Sequence, residues 1–220
     1  MFAGHIGAAL AIGRAEPGVN IGMFVTAALL LDLLLWLFVL LGWESVAIPA
    51  DFASTHQAAF LFPYSHGLLA SVAWSAVAAV AGLLLYARCQ WKWRAAMLLA
   101  VAVFSHWVLD AVVHRPELPL AGAASRVVGL GLWNNIPVAL LLEGVVVVLG
   151  LYLFVSGSKV ERSKSIALAV LTLVVMALTV VGMTIAPAPP SAAAMAGSSL
   201  ATLLVVCVLA GVFGRKRRPA

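Results

Sequence analysis

Residues 95–114 read AAMLLAVAVFSHWVLDAVVH. Up to Val113 this stretch is long and apolar enough for a membrane span, which takes about 20 mostly apolar residues as a helix. Yet His106, Asp110 and His114 interrupt it at i, i+4 and i+8. At 100° per residue, successive members of that series drift only about 40° around the axis, so the three groups form one stripe. An ionisable group at the centre of a span costs about 2.5–3.5 kcal/mol on insertion scales. A helix that carries such a stripe must face it into protein, against partners from other helices.

The rest of the chain supplies those helices. Further apolar segments run over Asn20–Leu41, Phe60–Tyr86, Trp133–Phe154, Ile166–Ile185 and Leu200–Phe213, which with Ala95–Val113 predict an all-α polytopic transmembrane bundle of about six spans. The composition agrees: 64% hydrophobic, 10% charged and a mean hydropathy of +1.11 over 220 residues. Soluble domains run near 45–50% apolar and about 25% charged, so a water-soluble enzyme, a disordered chain and a coiled coil are excluded. Cys89 and Cys207 suggest neither a disulfide framework nor a thiolate metal site. The first segment has Arg14 before it and Ser45-Val46-Ala47 after it, as a signal peptide would. Its apolar run exceeds the usual ~7–15 residues of a signal core and contains Asp32, so it reads as a retained span.

Lys and Arg set the orientation, because short loops rich in them stay cytoplasmic. With the N-terminus inside, Arg14, Arg88, Lys92, Arg94, Lys159, Arg162, Lys164, Arg215, Lys216, Arg217 and Arg218 are cytoplasmic, 11 of the 13. Arg115 and Arg126 alone fall outside. Both termini are therefore expected in the cytoplasm. The net charge of +5 reports topology, and a nucleic-acid partner is not required. Outer loops are expected over Gly42–Ala59, His114–Leu132 and Ala186–Ser199.

Ionisable groups within spans divide the chain in two. Asp32, His66, His106, Asp110 and Glu143 fall in the first four spans, whereas the last two have none. This predicts a polar-cored unit over residues 1–156 and a hydrophobic hairpin with a basic tail over 157–220. Counted inward from the outer ends of their spans, the five groups lie within roughly 15 Å of one surface at 1.5 Å per residue. His106 and His114 are about 12 Å apart along the helix, so either two metals occupy the stripe or His114 has another role. His5 belongs to the apolar stretch Phe2–Gly13, followed by the turn Arg14–Gly18. That stretch reads either as a half-helix rising beside the first span, which brings His5 near Asp32 in depth, or as an interfacial helix with His5 idle.

Each polar group alone is explained by interhelical hydrogen bonding, worth under about 1 kcal/mol on average. As a set, imidazoles and carboxylates without thiolate suit zinc or a similar divalent ion. Asp32, His66, His106 and Asp110 are the candidate ligands, with Glu143 or His114 as general base or acid. A proton relay or transporter built on the same groups is the alternative, and a non-catalytic scaffold a third. Trp133 through Pro137 read either as the mouth of a site or as an aromatic anchor with helix entry.

The residues also resemble the YdjM-like family of bacterial inner-membrane proteins, grouped as metal-dependent hydrolases. The resemblance covers about residues 1–156. It rests on Gly4-His5 with Gly7, Ala28 through Asp32, Tyr64-Ser65-His66-Gly67-Leu68-Leu69 and Ser105-His106-Trp107-Val108-Leu109-Asp110, together with His114 through Leu120 and Gly131-Leu132-Trp133-Asn134. Leu31 and Leu34 depart from the family's Pro-Asp-x-Asp element. The order of His, Asp, His and His-x-x-x-Asp is similar to that of zinc-dependent phospholipases C. The resemblance implies a ligand role for His5, a bacterial inner-membrane location and a phosphoester or lipid-linked substrate.

Overall fold

The computed structural model describes residues 1–157 and 160–214. Lys159 and Arg215 through Arg218, which enter the orientation argument, lie outside the described residues. The chain is a helical bundle. Among the described residues, five helices are long and apolar enough to cross a membrane: α5 (Leu68–Leu85), α6 (Lys92–Val113), α7 (Ile136–Gly157), α8 (Arg162–Thr184) and α9 (Ala192–Phe213). A sixth span is broken into α2 (Ile21–Ala28) and α3 (Leu30–Leu40), which meet at 50°. The short α1 (Phe2–Gly13) precedes them, and a small α4 (Phe52–Thr55) lies between β1 (Ser45–Ala47) and β2 (Ala59–Leu61).

The break in the first span comes from a side chain. Neither Gly nor Pro stands at Leu29, and Leu29 N and Leu33 N both keep their bonds to the carbonyls four residues back. The carbonyl of Ala28 instead accepts from His106 Nδ1 at 2.6 Å. A side chain inserted into the helical ladder is a known cause of a kink. The new helix start places Asp32 in the first turn of α3, where the positive end of the helix dipole favours a carboxylate.

α1 is a half-helix buried among the others, packed most extensively on α7 and also on α2, α6 and α8. Its backbone meets α7 at glycines. A Cβ added to Gly7 would lie 2.6 Å from the Val146 carbonyl oxygen, and one added to Gly150 would run into the carbonyl of Gly7. Small residues allow such close approach between helices where lipid provides no hydrophobic drive for packing. α9 packs on α2 and α3, and α8 on α1, so the last two spans are built into the same bundle as the polar-cored part.

Several boundaries differ from the sequence expectation, three of them beside the cluster or its cavity. His66 is not in a span: β2 pairs antiparallel with β1, Phe62 through Gly67 form a turn, and α5 begins at Leu68. Pro63 brings no backbone N–H, and the Glu44 carboxylate accepts from Tyr64 N and Ser65 N at 2.8 Å each, which holds the turn open. α7 begins at Ile136 rather than Trp133, after a 3-10 turn over Leu132–Asn134. α9 begins at Ala192, inside the expected loop, because Ser191 caps it by accepting from Ala194 N and the following alanines favour helix. The loops at this end also carry an antiparallel pair, β3 (Leu118–Pro119) with β4 (Val127–Val128).

Candidate metal centre

The expected ligands converge where α3 begins, α6 ends and the turn before α5 folds inward. His106 Nε2 lies 3.1 Å from Asp110 Oδ2, one turn along α6. His66 Nε2 comes from the turn to stand 3.1 Å from His106 Nε2 and 3.5 Å from Asp110 Oδ2. Across the gap, Asp32 Oδ1 is 3.5 Å from His66 Nε2 and 3.7 Å from His106 Nε2. α1 delivers His5, whose ring stacks on His106 with centroids 3.6 Å apart and whose Nε2 is 3.2 Å from Asp110 Oδ1. The α-amino nitrogen of Met1 is 3.1 Å from the same oxygen. His5, His66, His106 and Asp110 are all at most 1% exposed, and Asp32 is half-buried at the edge of the group.

Hydrogen-bond partners assign the proton on two of the rings. Ser65 Oγ donates its one hydrogen to Glu44 Oε2 at 2.7 Å, so toward His66 Nδ1, 2.8 Å away, it accepts. His66 therefore carries its proton on Nδ1. His106 Nδ1 faces a carbonyl, which only accepts, so it is protonated too. In their neutral forms both rings then present bare Nε2 lone pairs to each other at 3.1 Å, with two carboxylates beside them. Such a focus of lone pairs is repulsive unless a proton or a cation lies within it. Both nitrogens of the buried His5 ring lack a hydrogen-bond partner among the described residues.

The spacing fits an ion of zinc's size. Two donors about 2.1 Å from a tetrahedral centre stand about 3.4 Å apart. His66, His106 and Asp110 form a donor triangle with sides of 3.1, 3.1 and 3.5 Å, and with Asp32 in place of Asp110 the sides are 3.1, 3.5 and 3.7 Å. His5, Asp32 and His106 also bring ligand atoms within 4.8 Å of one another. These buried His and Asp groups make up a site able to hold a metal ion.

The two candidate acid–base residues lie in different surroundings. His114 follows α6, its Nδ1 2.6 Å from Glu117 Oε1 and its Nε2 3.7 Å from Asp110 Oδ2. Its ring lies 4.0 Å from that of Trp133, and both residues line a cavity that reaches Asp32, His66 and Asp110. Leaving the helical path after Val113 lets His114 approach the cluster despite its separation along the sequence. Glu143 is fully buried on α7, where its Oε1 accepts from Gly4 N at 3.0 Å. It is not among the residues lining the cavity.

Sequence reasoning did not identify Glu44, Ser65 or the Ala28 carbonyl as partners of the site. Glu44 read as a loop acid, yet it is 4% exposed and makes three hydrogen bonds. No sequence signal sets it apart, since the same loop carries Asp51, His56 and Gln57. No protein-family model matches the chain, and no curated protein and no solved structure matches it either.

Proposed function

We propose that the protein is a membrane-embedded metal-dependent hydrolase that acts on a phosphoester in an amphiphilic, lipid-linked substrate. The observation that carries this reading is the pair of Nε2 lone pairs on His66 and His106, aimed at each other and at Asp32 and Asp110, with Nδ1–H of each ring already donated elsewhere. Hydrogen bonds from the far nitrogen of the ring to a hydroxyl or carbonyl orient histidine ligands in metal sites. The proposed ligands are drawn from Asp32, His66, His106, Asp110 and His5, three of which at a time would hold an ion and leave a tetrahedral position for water. The chemistry of the donors favours zinc, which when bound polarises a phosphoryl oxygen and draws the pKa of a water toward neutrality.

The remaining work falls to residues of the chain. His114, its Nδ1–H held by Glu117, presents Nε2 to the cavity as the proton acceptor. Phe60, Phe62 and Trp133 line the same cavity and pack on the His114 ring, which makes the surroundings of Nε2 apolar. Glu143 holds the first turn of α1 and through it His5. The resemblance to YdjM-like proteins belongs to this proposal, as does a bacterial inner membrane; the distribution of Lys and Arg supports a cytoplasmic side for the turn at Arg14 and the segment from Arg88 to Arg94, whereas the α-amino group of Met1 itself lies in the cluster.

Metal analysis of detergent-purified protein, paired with hydrolysis of bis(p-nitrophenyl) phosphate and of phospholipid in mixed micelles, tests the reading. A stoichiometric divalent ion, lost in Asp110→Ala, and hydrolysis abolished by chelation and restored by zinc are expected. Protein without an ion, or an ion without chelator-sensitive hydrolysis, rejects it. Proteoliposome flux abolished by His106→Ala in metal-free protein would put a proton relay in its place.

A further inference from the structure

The cavity that reaches the cluster continues away from it. Its volume is about 410 Å³, and beyond Asp32 and His66 its walls are Leu178, Gly182 and Met183 of α8 with Ser198, Thr202 and Leu203 of α9. The two ends differ in chemistry. One holds carboxylates and imidazoles behind a collar of Trp36, Phe60, Phe62 and Trp133. At the other, three of the four hydroxyls donate to their own helices, Thr179 Oγ1 to Val175 O, Ser198 Oγ to Ala194 O and Thr202 Oγ1 to Ser198 O, and Ser199 carries the fourth. Leu178, Met183 and Leu203 make the rest of this wall predominantly carbon. Leu178 is 50% exposed, so the apolar end opens on the lipid-facing side of the bundle. A Cβ built on Gly182 meets no atom within 4 Å, which makes this glycine the open floor of the groove.

From this bipolar space we infer that α8 and α9 form a docking groove for one hydrocarbon chain of the substrate, whose phosphoryl headgroup sits at Asp32, His66 and Asp110. This rests on the hydrolase reading and deepens it, since it assigns the substrate as an amphiphile whose chain enters sideways between α8 and α9. The volume lies toward the small end of ligand pockets, which span roughly 300–1,000 Å³. It suits a headgroup with the first part of one chain, the remainder running out past Leu178 into lipid. Spans five and six, which bear no ionisable group in their apolar cores, thereby acquire a function as the chain-selecting wall of the site.

A hexadecylphosphonate carrying a diazirine at mid-chain is the probe. Photolysis with the full chain in detergent, followed by peptide mapping, is expected to place label on residues 178–183 and 198–203. Gly182→Trp should cut that label about tenfold, the scale on which apolar pockets discriminate, and Gly182→Leu by less. Both variants should keep wild-type metal content, which shows that the fold and the cluster are intact. Label spread equally over the exposed sides of α5 and α7, or unchanged in Gly182→Trp, overturns the groove. The two readings fail separately. Label at α8 and α9 in protein with no ion and no hydrolysis removes the hydrolase and retains the groove, whereas metal-dependent hydrolysis with scattered label does the reverse.

Discussion

Ser65 Oγ donates to Glu44 Oε2 at 2.7 Å and so must accept from His66 Nδ1 at 2.8 Å. One carboxylate, 22 residues upstream in the chain, thus determines which nitrogen of His66 is free for a cation. Glu44→Gln preserves the acceptors for Tyr64 N and Ser65 N but offers Ser65 an amide donor. The hydroxyl hydrogen then turns to His66, whose proton moves to Nε2, the atom needed for the metal. Zinc affinity, measured by competition with a chromogenic chelator, should fall about 10–100-fold, as for other changes in groups that orient metal ligands. Metal-free melting should change little. Unaltered affinity in Glu44→Gln would show that the tautomer is set by something else.

Glu143 distinguishes a positioning role from a chemical one through a pair of substitutions. Glu143→Gln retains an acceptor for Gly4 N, so metal content and turnover should stay within a few-fold of wild type. Glu143→Leu leaves that buried N–H unpaired, at a cost of about 1–3 kcal/mol, and should lower thermal stability and weaken metal binding through the displacement of His5. If Glu143 were the general base, the Gln variant would lose about 10²–10⁴ in rate with its stability intact; that result would restore Glu143 to the chemistry.

The fold was largely legible because membrane spans are announced by long apolar runs, and the run around His106 and Asp110 needs only helical periodicity to bring both onto one face. The site was legible in part for the same reason. His66 and Glu44 mark the limit. His66 reaches the cluster from a turn held by a distant carboxylate, and no local pattern encodes that pairing. The break at Leu29 has no Gly or Pro signal, since its cause is a histidine 77 residues away in the chain. The groove between α8 and α9 was equally hidden, because apolar residues look alike in sequence whether they face lipid or line a cavity.

The contact of α1 with α7 can be tested by volume alone. Gly150→Ala places a methyl group against the Gly7 carbonyl, and rigid backbone is poorly able to yield. Overpacking of this kind costs about 1–3 kcal/mol. α1 should shift outward, carrying His5 from its stack on His106, and metal affinity should fall together with stability. Gly144→Ala, whose added Cβ would meet only the Met176 side chain at an ordinary 3.8 Å, is the control on the same helix and should alter neither. Equal behaviour of the two variants would mean that α1 is not held by this close approach.

His114 carries the most direct prediction for chemistry. Its Nδ1 is committed to Glu117 at 2.6 Å, and its ring packs on Trp133 at 4.0 Å, so Nε2 is the nitrogen turned toward Asp110 and the cavity. His114→Gln should leave the bound ion in place, because the ligand set is complete without it, and should lower turnover about 10²–10⁴-fold as the loss of a proton acceptor does. Glu117→Gln should have a smaller effect in the same direction, since the ring remains but is held less firmly in the required tautomer. Metal content and single-turnover rates measured on the same preparations separate the roles. Loss of the ion in His114→Gln would make this residue a ligand, and an unchanged rate with the ion retained would leave it a packing residue at the cavity wall.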